Sequence, residues 1–336
     1  MANLFFTGYE GLNSASMLAR RVTTVGASHS FVTGRYDGNG VQTSATDAIS
    51  VVLSGVPTTV ILGTGVRVTT YDGTNQRALV RFRGSSVTHL TLRVKTTSTD
   101  TYQVVGPDGS TELGTVVIPF NTWVFLEMRV VISDTVGEVE LKVNGVSAFN
   151  VTGIDTKNAG AAGVDEVRLN GDSLVAQWDD TYVNDSSGSA PHNTFYGDIS
   201  VKAVRPAAND TVAFTPLTST NVSNIDDTTV DDDATYNYGG TVGDKDLFTV
   251  SGYTQVIPTD VVLGVALRVH ARRESASRTL RPVLKNSSTT VNGTATSLGT
   301  VYTELTQYAY VDPATSAAFA DAAAVNSLRI GYEVTA

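Results

Sequence analysis

The chain contains no cysteine, which excludes disulfide bridges, thiolate metal sites and a cysteine nucleophile. Its fold must therefore be stable without covalent cross-links, a property compatible with assembly in a reducing cytosol and later life outside it. Apolar runs are short, and none approaches the roughly 18 residues of a membrane span. The N-terminus, MANLFFTGYEG, has no basic region and reaches Glu10 early, so we expect neither a signal peptide nor a membrane anchor.

Positive charge is also scarce. The 23 Lys and Arg residues are outnumbered by 33 Asp and Glu residues, which gives a formal net charge of −10. Such a chain repels phosphate backbones and anionic lipid surfaces, so we expect no nucleic-acid partner and no membrane partner. The 4 histidines lie in unrelated contexts without a nucleophile elbow, which argues against a Ser-His-Asp triad.

Short segments of alternating hydrophobicity, in contrast, are abundant. In the clearest of them, Val139, Leu141 and Val143 alternate with charged residues, as in a strand with one buried and one solvated face. Asn144-Gly145 follows, a dipeptide favoured in type I′ hairpin turns. Together with the strand that begins at Trp123, this pattern predicts a three-stranded β-meander.

Similar windows recur along the whole chain and are separated by turn-rich sequence. A length of 336 residues suits two β-sandwich domains, and the Pro-containing stretch 205–210, which has no periodicity, is the predicted linker. The sequence therefore predicts an all-β protein with two antiparallel β-sandwich (jelly-roll) domains in tandem, residues 1–207 and 208–336. A single short helix, capped by Asp321, is expected.

Carboxylates are the main candidates for catalysis. Glu138 and Glu140 form the obvious pair for a glycoside hydrolase, but they share a strand face with Lys142, which favours a solvated face with a local ion pair. Asp179-Asp180 should point to opposite faces of a strand. The favoured interpretation is structural, with the buried carboxylate accepting backbone N–H bonds, and calcium ligation is the alternative.

Another acidic segment, NIDDTTVDDDATYNYGGTVGDKD at residues 224–246, is predicted to be an exposed loop. Its candidate oxygen ligands for Ca²⁺ are Asp226, Asp227, Asp231 and Asp233. They lack the Asp-x-Asp-x-Asp-Gly spacing of a dedicated calcium loop. Apart from this candidate ion, no cofactor is expected.

Tyrosines beside predicted loops are candidates for stacking on sugar rings. Tyr71 and Tyr102 are the carbohydrate-binding residues predicted on this basis. The alternative is that their rings cover the edges of the core and leave the hydroxyl groups in solvent.

Four segments of the first 210 residues resemble the concanavalin A-like (laminin G-like) jelly-roll domain of tailed-phage virion proteins. In chain order they are LFFTGYEG, TWVFLEMRVVISDTVGEVELKVNG, WDDTYVNDSSG and NTFYGDISVKAVRPAAND. The remainder of the chain is similar to the second β-domain that often follows in the same proteins.

This resemblance implies a non-enzymatic bacteriophage virion protein, assembled in the host cytoplasm and exposed on the capsid, as a decoration protein, or on the tail. Other virion proteins, further copies of the chain and host surface glycans would be its partners. The glucanases of the wider fold carry a Glu-x-Asp-x-x-Glu strand that this chain lacks, so catalysis is not expected. Two alternatives stay open, namely a receptor-binding tail fibre or tip protein and a glycoside hydrolase.

Overall fold

The computed structural model describes residues 3–27, 29–44, 46–71, 76–95, 100–250, 252–255 and 260–336. The chain divides into two compact units, residues 1–201 and 202–336. Antiparallel sheets dominate both, which confirms the all-β prediction. None of the helices in the described residues is long and apolar enough to cross a membrane.

The first unit is a two-sheet sandwich. Its elements are β1 Asn3–Thr7, α1 Ala15–Arg21, β2 Thr23–Val25, β3 Ser30–Thr33, β4 Asn39–Thr43, β5 Ala48–Val52, β6 Thr59–Tyr71, β7 Ala78–Gly84, β8 Val87–Val94, β9 Thr101–Val105, β10 Glu112–Val117, β11 Val124–Val131, β12 Gly137–Val143, β13 Val146–Ile154, β14 Glu166–Asn170 and β15 Leu174–Asp185. The front sheet has the order β13-β12-β11-β6-β15-β4-β3, with β1 paired to β15. The back sheet has the order β10-β9-β8-β7-β14-β5-β2.

Alternation along the strands builds the core of this unit. On the front sheet, Met128 pairs with Leu141 and Val130 with Val139, and all four side chains are fully buried. Trp178 on β15 is the largest of the fully buried side chains, and its indole N–H donates to the Thr43 hydroxyl at 2.9 Å.

The predicted meander is present as β11, β12 and β13. Asn144 and Gly145 join β12 to β13 with φ values of 49° and 76°, as a type I′ turn requires. Asn144 also ties this turn to β11, because its side-chain oxygen accepts the backbone N–H of Phe125 at 2.8 Å. Trp123 lies one residue before β11.

Replacing Asn144 by alanine is expected to lower the free energy of unfolding by about 1–2 kcal/mol, because the variant loses this hydrogen bond and must hold a positive φ without asparagine's tolerance for it. Urea denaturation followed by tryptophan fluorescence measures the change. Thr152→Ala, at an exposed position of β13, is the control. Equal stabilities for the two variants would contradict the role given to Asn144.

The second unit contains one larger sheet and two strand pairs. Its elements are β16 Pro206–Thr211, β17 Thr215–Pro216, a 3₁₀ turn at Val222–Asn224, β18 Asn237–Tyr238, β19 Lys245–Val250, β20 Val265–Ala271, β21 Thr279–Asn286, β22 Thr289–Asn292, β23 Thr296–Ser297, β24 Thr303–Ala309, α2 Ala322–Asn326 and β25 Arg329–Val334. The sheet order is β16-β19-β25-β21-β22, with β23 paired to β21, and β20-β24 and β17-β18 are the pairs. Leu267, Leu284, Leu305 and Val325 belong to its apolar core.

Two local expectations differ from the structure. The stretch 205–210, interpreted as a linker, largely forms the edge strand β16, whose pairing with β19 is irregular in register. The prediction of a single helix is wrong, because α1 precedes the Asp321-capped α2. Ser14 caps α1 by accepting the Met17 N–H at 3.4 Å, while Met17 and Leu18 are buried. Seven residues are too few to show helical periodicity in the sequence.

Candidate functional site

The outer face of the front sheet, turned away from the apolar core, carries most of the chemistry of the first unit. On β6 this face is formed by Ile61, Gly63, Gly65 and Arg67, since the residues between them are buried on the core side. Side chains from other parts of the first unit cover Ile61, Gly63 and Gly65. Arg67 is only half-buried.

Residues 192–199, here called the covering segment, lie over one part of this face. Phe195, Tyr196 and Ile199 pack against a buried cluster that consists of Ile61, Phe125 and Tyr182. The Tyr182 ring lies directly on Gly63, where a Cβ atom would be only 2.0 Å from it. Glycine is therefore required at position 63.

A buried carboxyl group anchors the covering segment. Glu127 is 1% exposed, and its Oε1 accepts the Tyr182 hydroxyl at 2.5 Å and the Gly197 N–H at 2.8 Å. Its Oε2 has no hydrogen-bond partner among the described residues. Burial raises the pKa of Glu127, as expected for a carboxyl group removed from water. Because a molecule in solvent cannot reach this buried carboxyl group, we assign Glu127 a structural role.

Next to the covering segment, Arg35 holds the two aspartates of β15. Asp179 accepts the Arg35 backbone N–H at 2.7 Å, and Asp180 accepts the Arg35 Nε–H at 3.2 Å. Asp180 also accepts the Val201 N–H at 2.6 Å. Both aspartates thus accept backbone N–H groups, as the structural interpretation proposed.

The expectation that the two aspartates point to opposite faces is wrong. A β-bulge lies between Asp179 and Tyr182 in the pairing with β6, and Asp180 has a φ of 47°. The bulge inserts residues that break the alternation of a regular strand. Both carboxylates are consequently buried, at 1% and 2% exposure, and both bind Arg35.

Around Arg35, carboxyl groups outnumber cationic side chains. Burial, followed by repulsion from Asp179, raises the pKa of Glu10 to about 9. Burial also raises the pKa values of Asp179 and Asp180, and Asp179 is raised further by the charge of Asp180. Within the described ranges, no group of three or more His, Asp or Glu residues is placed to hold a metal ion.

Another part of the outer face carries a row of polar and aromatic side chains, here called the Arg67 row, which consists of Arg67, Trp123, Gln177, Gln42 and Ser30. Gln177 is buried, at 7% exposure, and the other four are half-buried. Cross-strand pairing aligns it, because Gln177 lies opposite both Arg67 and Gln42, and Gln42 lies opposite Ser30. The row therefore runs across β6, β15, β4 and β3.

Hydrogen bonds connect the members of the row. Arg67 Nε–H donates to Gln177 Oε1 at 2.6 Å. Gln177 Nε2 donates to Gln42 Oε1 at 2.9 Å, and Gln42 Nε2 donates to Ser30 Oγ at 3.2 Å. At the other end, the Arg67 guanidinium lies 5.3 Å from the ring centroid of Trp123. The amides thus hold the guanidinium beside the indole.

The tyrosines predicted to bind carbohydrate are not in this row. Tyr102 is 0% exposed because β9 turns it into the core, so the prediction that it stacks on a sugar is wrong. Tyr71 ends β6 and is half-buried; it lies opposite the fully buried Leu174, beyond a bulge in the β6–β15 pairing. It therefore faces the edge of the core.

The strand carboxylates form ion pairs. Glu140 lies 3.5 Å from Lys142, which confirms the predicted local ion pair. Glu138 instead pairs with Arg129 on the neighbouring strand, at 3.4 Å. Lys142 also lies 4.3 Å from the centroid of the Phe195 ring, where it contributes to holding the covering segment.

The four candidate calcium ligands of the second unit do not form a ligand set. Asp233 binds Arg272 at 2.7 Å and accepts the Tyr302 hydroxyl at 3.0 Å, and these contacts lower its pKa. The Thr235 hydroxyl donates to Asp227 and Asp231 at 3.2 and 2.8 Å. These three carboxylates therefore bind side chains of the protein.

Comparison with known proteins finds chains of similar structure and low sequence identity. No protein-family model and no curated protein matches the chain. Similar solved structures include the cellulose-induced protein Cip1, with a TM-score of 0.42 and 12% identity over 53% of this chain and 96% of that one. An endo-β-1,4-glucuronan lyase from Trichoderma reesei has a TM-score of 0.40 and 9% identity over 54% and 95%. The Caenorhabditis elegans galectin LEC-6 has a TM-score of 0.28 and 13% identity over 39% and 88%.

Proposed function

We propose that the first unit binds polysaccharide along the Arg67 row, and that the chain is a non-enzymatic surface protein of a virus particle. The observation that carries the binding proposal is the row itself, because it combines a half-buried indole ring with aligned amide, hydroxyl and guanidinium groups on the outer face of the front sheet. The virus-particle assignment is supported by the resemblance of the four sequence segments to phage virion proteins.

A polysaccharide fits the dimensions and the chemistry of the row. Neighbouring strands lie about 4.8 Å apart, so four steps from β3 to the start of β11 span roughly 19 Å. This length suits an extended oligosaccharide better than a single sugar. The half-buried Gln42 and Ser30 offer donors and acceptors to sugar hydroxyl groups, and Trp123 offers an apolar ring with a polar edge. Gln177 is 7% exposed and is bonded at both ends of its amide, so it positions its neighbours in the row.

The absence of catalysis is part of the proposal. A general acid or base must lie within hydrogen-bond reach of the substrate. On the outer face Glu127, Asp179 and Asp180 are buried under other residues, while Glu138 and Glu140 are engaged with cations. We therefore expect no release of reducing ends or unsaturated products from any polysaccharide that binds. Turnover that is lost in Glu138→Gln or Glu140→Gln would favour the hydrolase alternative instead.

Isothermal titration calorimetry with a panel of neutral and acidic polysaccharides tests the binding proposal. Trp123→Ala is expected to weaken binding at least about tenfold, equivalent to about 1.4 kcal/mol. Tyr238→Ala is the matched control, since it removes another aromatic ring, 52% exposed, in the second unit. No binding by the wild-type chain, or equal losses in both variants, would contradict the proposal.

Immunogold electron microscopy of the source particles tests the virus-particle assignment. Antibody raised against the 336-residue chain is expected to label intact particles, on the head if the protein decorates the capsid and on the tail if it contacts the host. Particles that remain unlabelled both intact and after disruption would contradict the assignment.

A further inference from the structure

We propose that the polysaccharide bound by the first unit is acidic, and that Arg67 binds the carboxylate of a uronic acid residue. This inference rests on the proposed function and identifies the class of ligand for the same row. Three features of Arg67 support it, namely its hydrogen bonding, the absence of an ion pair with any described residue and its position beside Trp123.

The guanidinium of Arg67 is fixed in orientation. Its Nε–H is held by Gln177, whose own amide is held by Gln42, and its Cζ lies over the Trp123 ring, 5.3 Å from the centroid. An arginine held in this way presents its remaining N–H groups as a rigid fork, and less conformational entropy is lost when a planar anion binds. Beyond Gln177, Arg67 has no hydrogen-bond partner among the described residues, and no atom of its side chain is both buried and unpaired. Its terminal N–H groups therefore face solvent.

No described residue supplies a counter-charge to Arg67. Elsewhere on the outer face of the front sheet, Arg35 pairs with Asp180, Arg129 with Glu138 and Lys142 with Glu140. Arg67 forms no ion pair with any described residue, although the protein has ten more acidic than basic residues, 33 against 23. An oriented arginine without a carboxylate partner among the described residues is suited to an anion brought by the ligand. The net negative charge of the chain opposes an anionic polymer only at long range, where salt screens it.

A carboxylate is the anion that fits this fork best. Guanidinium and carboxylate groups are both planar and form two parallel N–H···O bonds. A uronic acid residue carries such a group on the sugar ring, so the same residue can place its carboxylate on Arg67 and its hydroxyl groups toward the neighbouring amides of the row. Sulfate esters are the other common anions of polysaccharides, and they are distinguished by experiment.

The test uses matched pairs of polymers and isothermal titration calorimetry with the full chain. Alginate, polygalacturonate and hyaluronan are each compared with the same polymer after reduction of its carboxylates to alcohols. Wild-type protein is expected to bind at least one acidic polymer about 10- to 100-fold more tightly than its reduced form, the range for a charge-assisted hydrogen bond. Arg67→Ala is expected to bring this ratio close to one, and Arg67→Lys should give an intermediate ratio because lysine keeps the charge and loses the fork.

Arg129→Ala is the control for net charge, because it removes a cation of the same outer face that already has a partner. It is expected to keep the wild-type preference. Tryptophan fluorescence confirms that each variant is folded, since both tryptophans, Trp123 and Trp178, lie in the first unit.

The outcomes separate this inference from the proposed function. If no polymer binds, acidic or reduced, the proposed function itself fails. If acidic and reduced polymers bind equally well, the function stands and the inference is overturned. Retention of the acidic preference in Arg67→Ala would overturn the role of Arg67. Tighter binding of dextran sulfate than of every uronate, lost in Arg67→Ala, would overturn the carboxylate assignment in favour of sulfate.

Discussion

Replacing Arg35 by alanine is expected to lower the free energy of unfolding of the first unit by about 3–5 kcal/mol, the range for removing one partner of a buried ion pair. The Arg35 side chain is 6% exposed and pairs with Asp180 at 3.2 Å and with Asp198 at 2.5 Å. It also donates to the backbone carbonyl of Ile199. Its loss leaves buried carboxylates without their cation and releases one end of the covering segment.

Guanidinium chloride denaturation followed by tryptophan fluorescence measures this effect in the first unit alone, because the second unit contains no tryptophan. Arg129→Ala is the matched control. Its ion pair with Glu138 is longer, at 3.4 Å, and its side chain is 38% exposed, so we expect a loss of at most about 1 kcal/mol. If the two variants proved equally stable, Arg35 would not be the cation that holds this cluster.

Raising the pH is expected to destabilise the first unit. The pKa values of Glu10, Asp179 and Asp180 are all raised by burial, so the folded state binds protons more tightly than the unfolded chain. The stability linked to these protons is fully present below the ordinary carboxyl pKa and is lost as the pH rises through the folded-state value. For Glu10 that window runs from 4.5 to about 9.

The expected size of this loss is several kcal/mol, since each unit of raised pKa corresponds to about 1.4 kcal/mol. Glu10→Gln, which cannot ionise, should flatten the alkaline decline and leave stability near pH 5 almost unchanged. Denaturation midpoints measured across the pH range for both proteins test this expectation. A wild-type stability that rises between pH 6 and pH 9, or the same alkaline decline in Glu10→Gln, would contradict it.

Local sequence patterns predicted the parts of the fold that depend on neighbouring residues. Val139 and Leu141 alternate with charged residues, and Asn144-Gly145 favours one turn type, so the meander was predictable without any tertiary information. Asp179 and Asp180 show where this reasoning fails. Nothing in the local pattern indicates that a bulge begins after Asp179 and includes Asp180, because bulges are set by pairing with a distant strand.

The Arg67 row could not be predicted for the same reason. Gln42 and Gln177 are 135 positions apart in the chain, and only strand register brings them into contact. Arg67 does occur in a window of alternating residues, which marks it as lying on the face opposite Val66 and Val68. That pattern gives no sign that Arg67 has no acidic partner among the described residues. Tyrosines near predicted loops do not indicate the carbohydrate-binding surface, because aromatic rings most often pack against the core.

Helix α1 and strand β16 were missed because short elements carry little periodicity. Ser14 followed by Met17 and Leu18 is the signal that was present for α1, namely a capping residue before two buried apolar side chains. Strand β16 is mostly exposed and begins at a proline, a residue tolerated at strand starts and sheet edges. Its sequence therefore resembles that of a linker.

The most direct test of the central claim, that the Arg67 row is the binding face, is a crystal structure of the chain soaked with a uronic acid oligosaccharide. We expect sugar density along Ser30, Gln42 and Trp123, with a carboxylate on the terminal nitrogens of Arg67. Density confined to any other surface, or a row that remains free of sugar at saturating ligand, would contradict it.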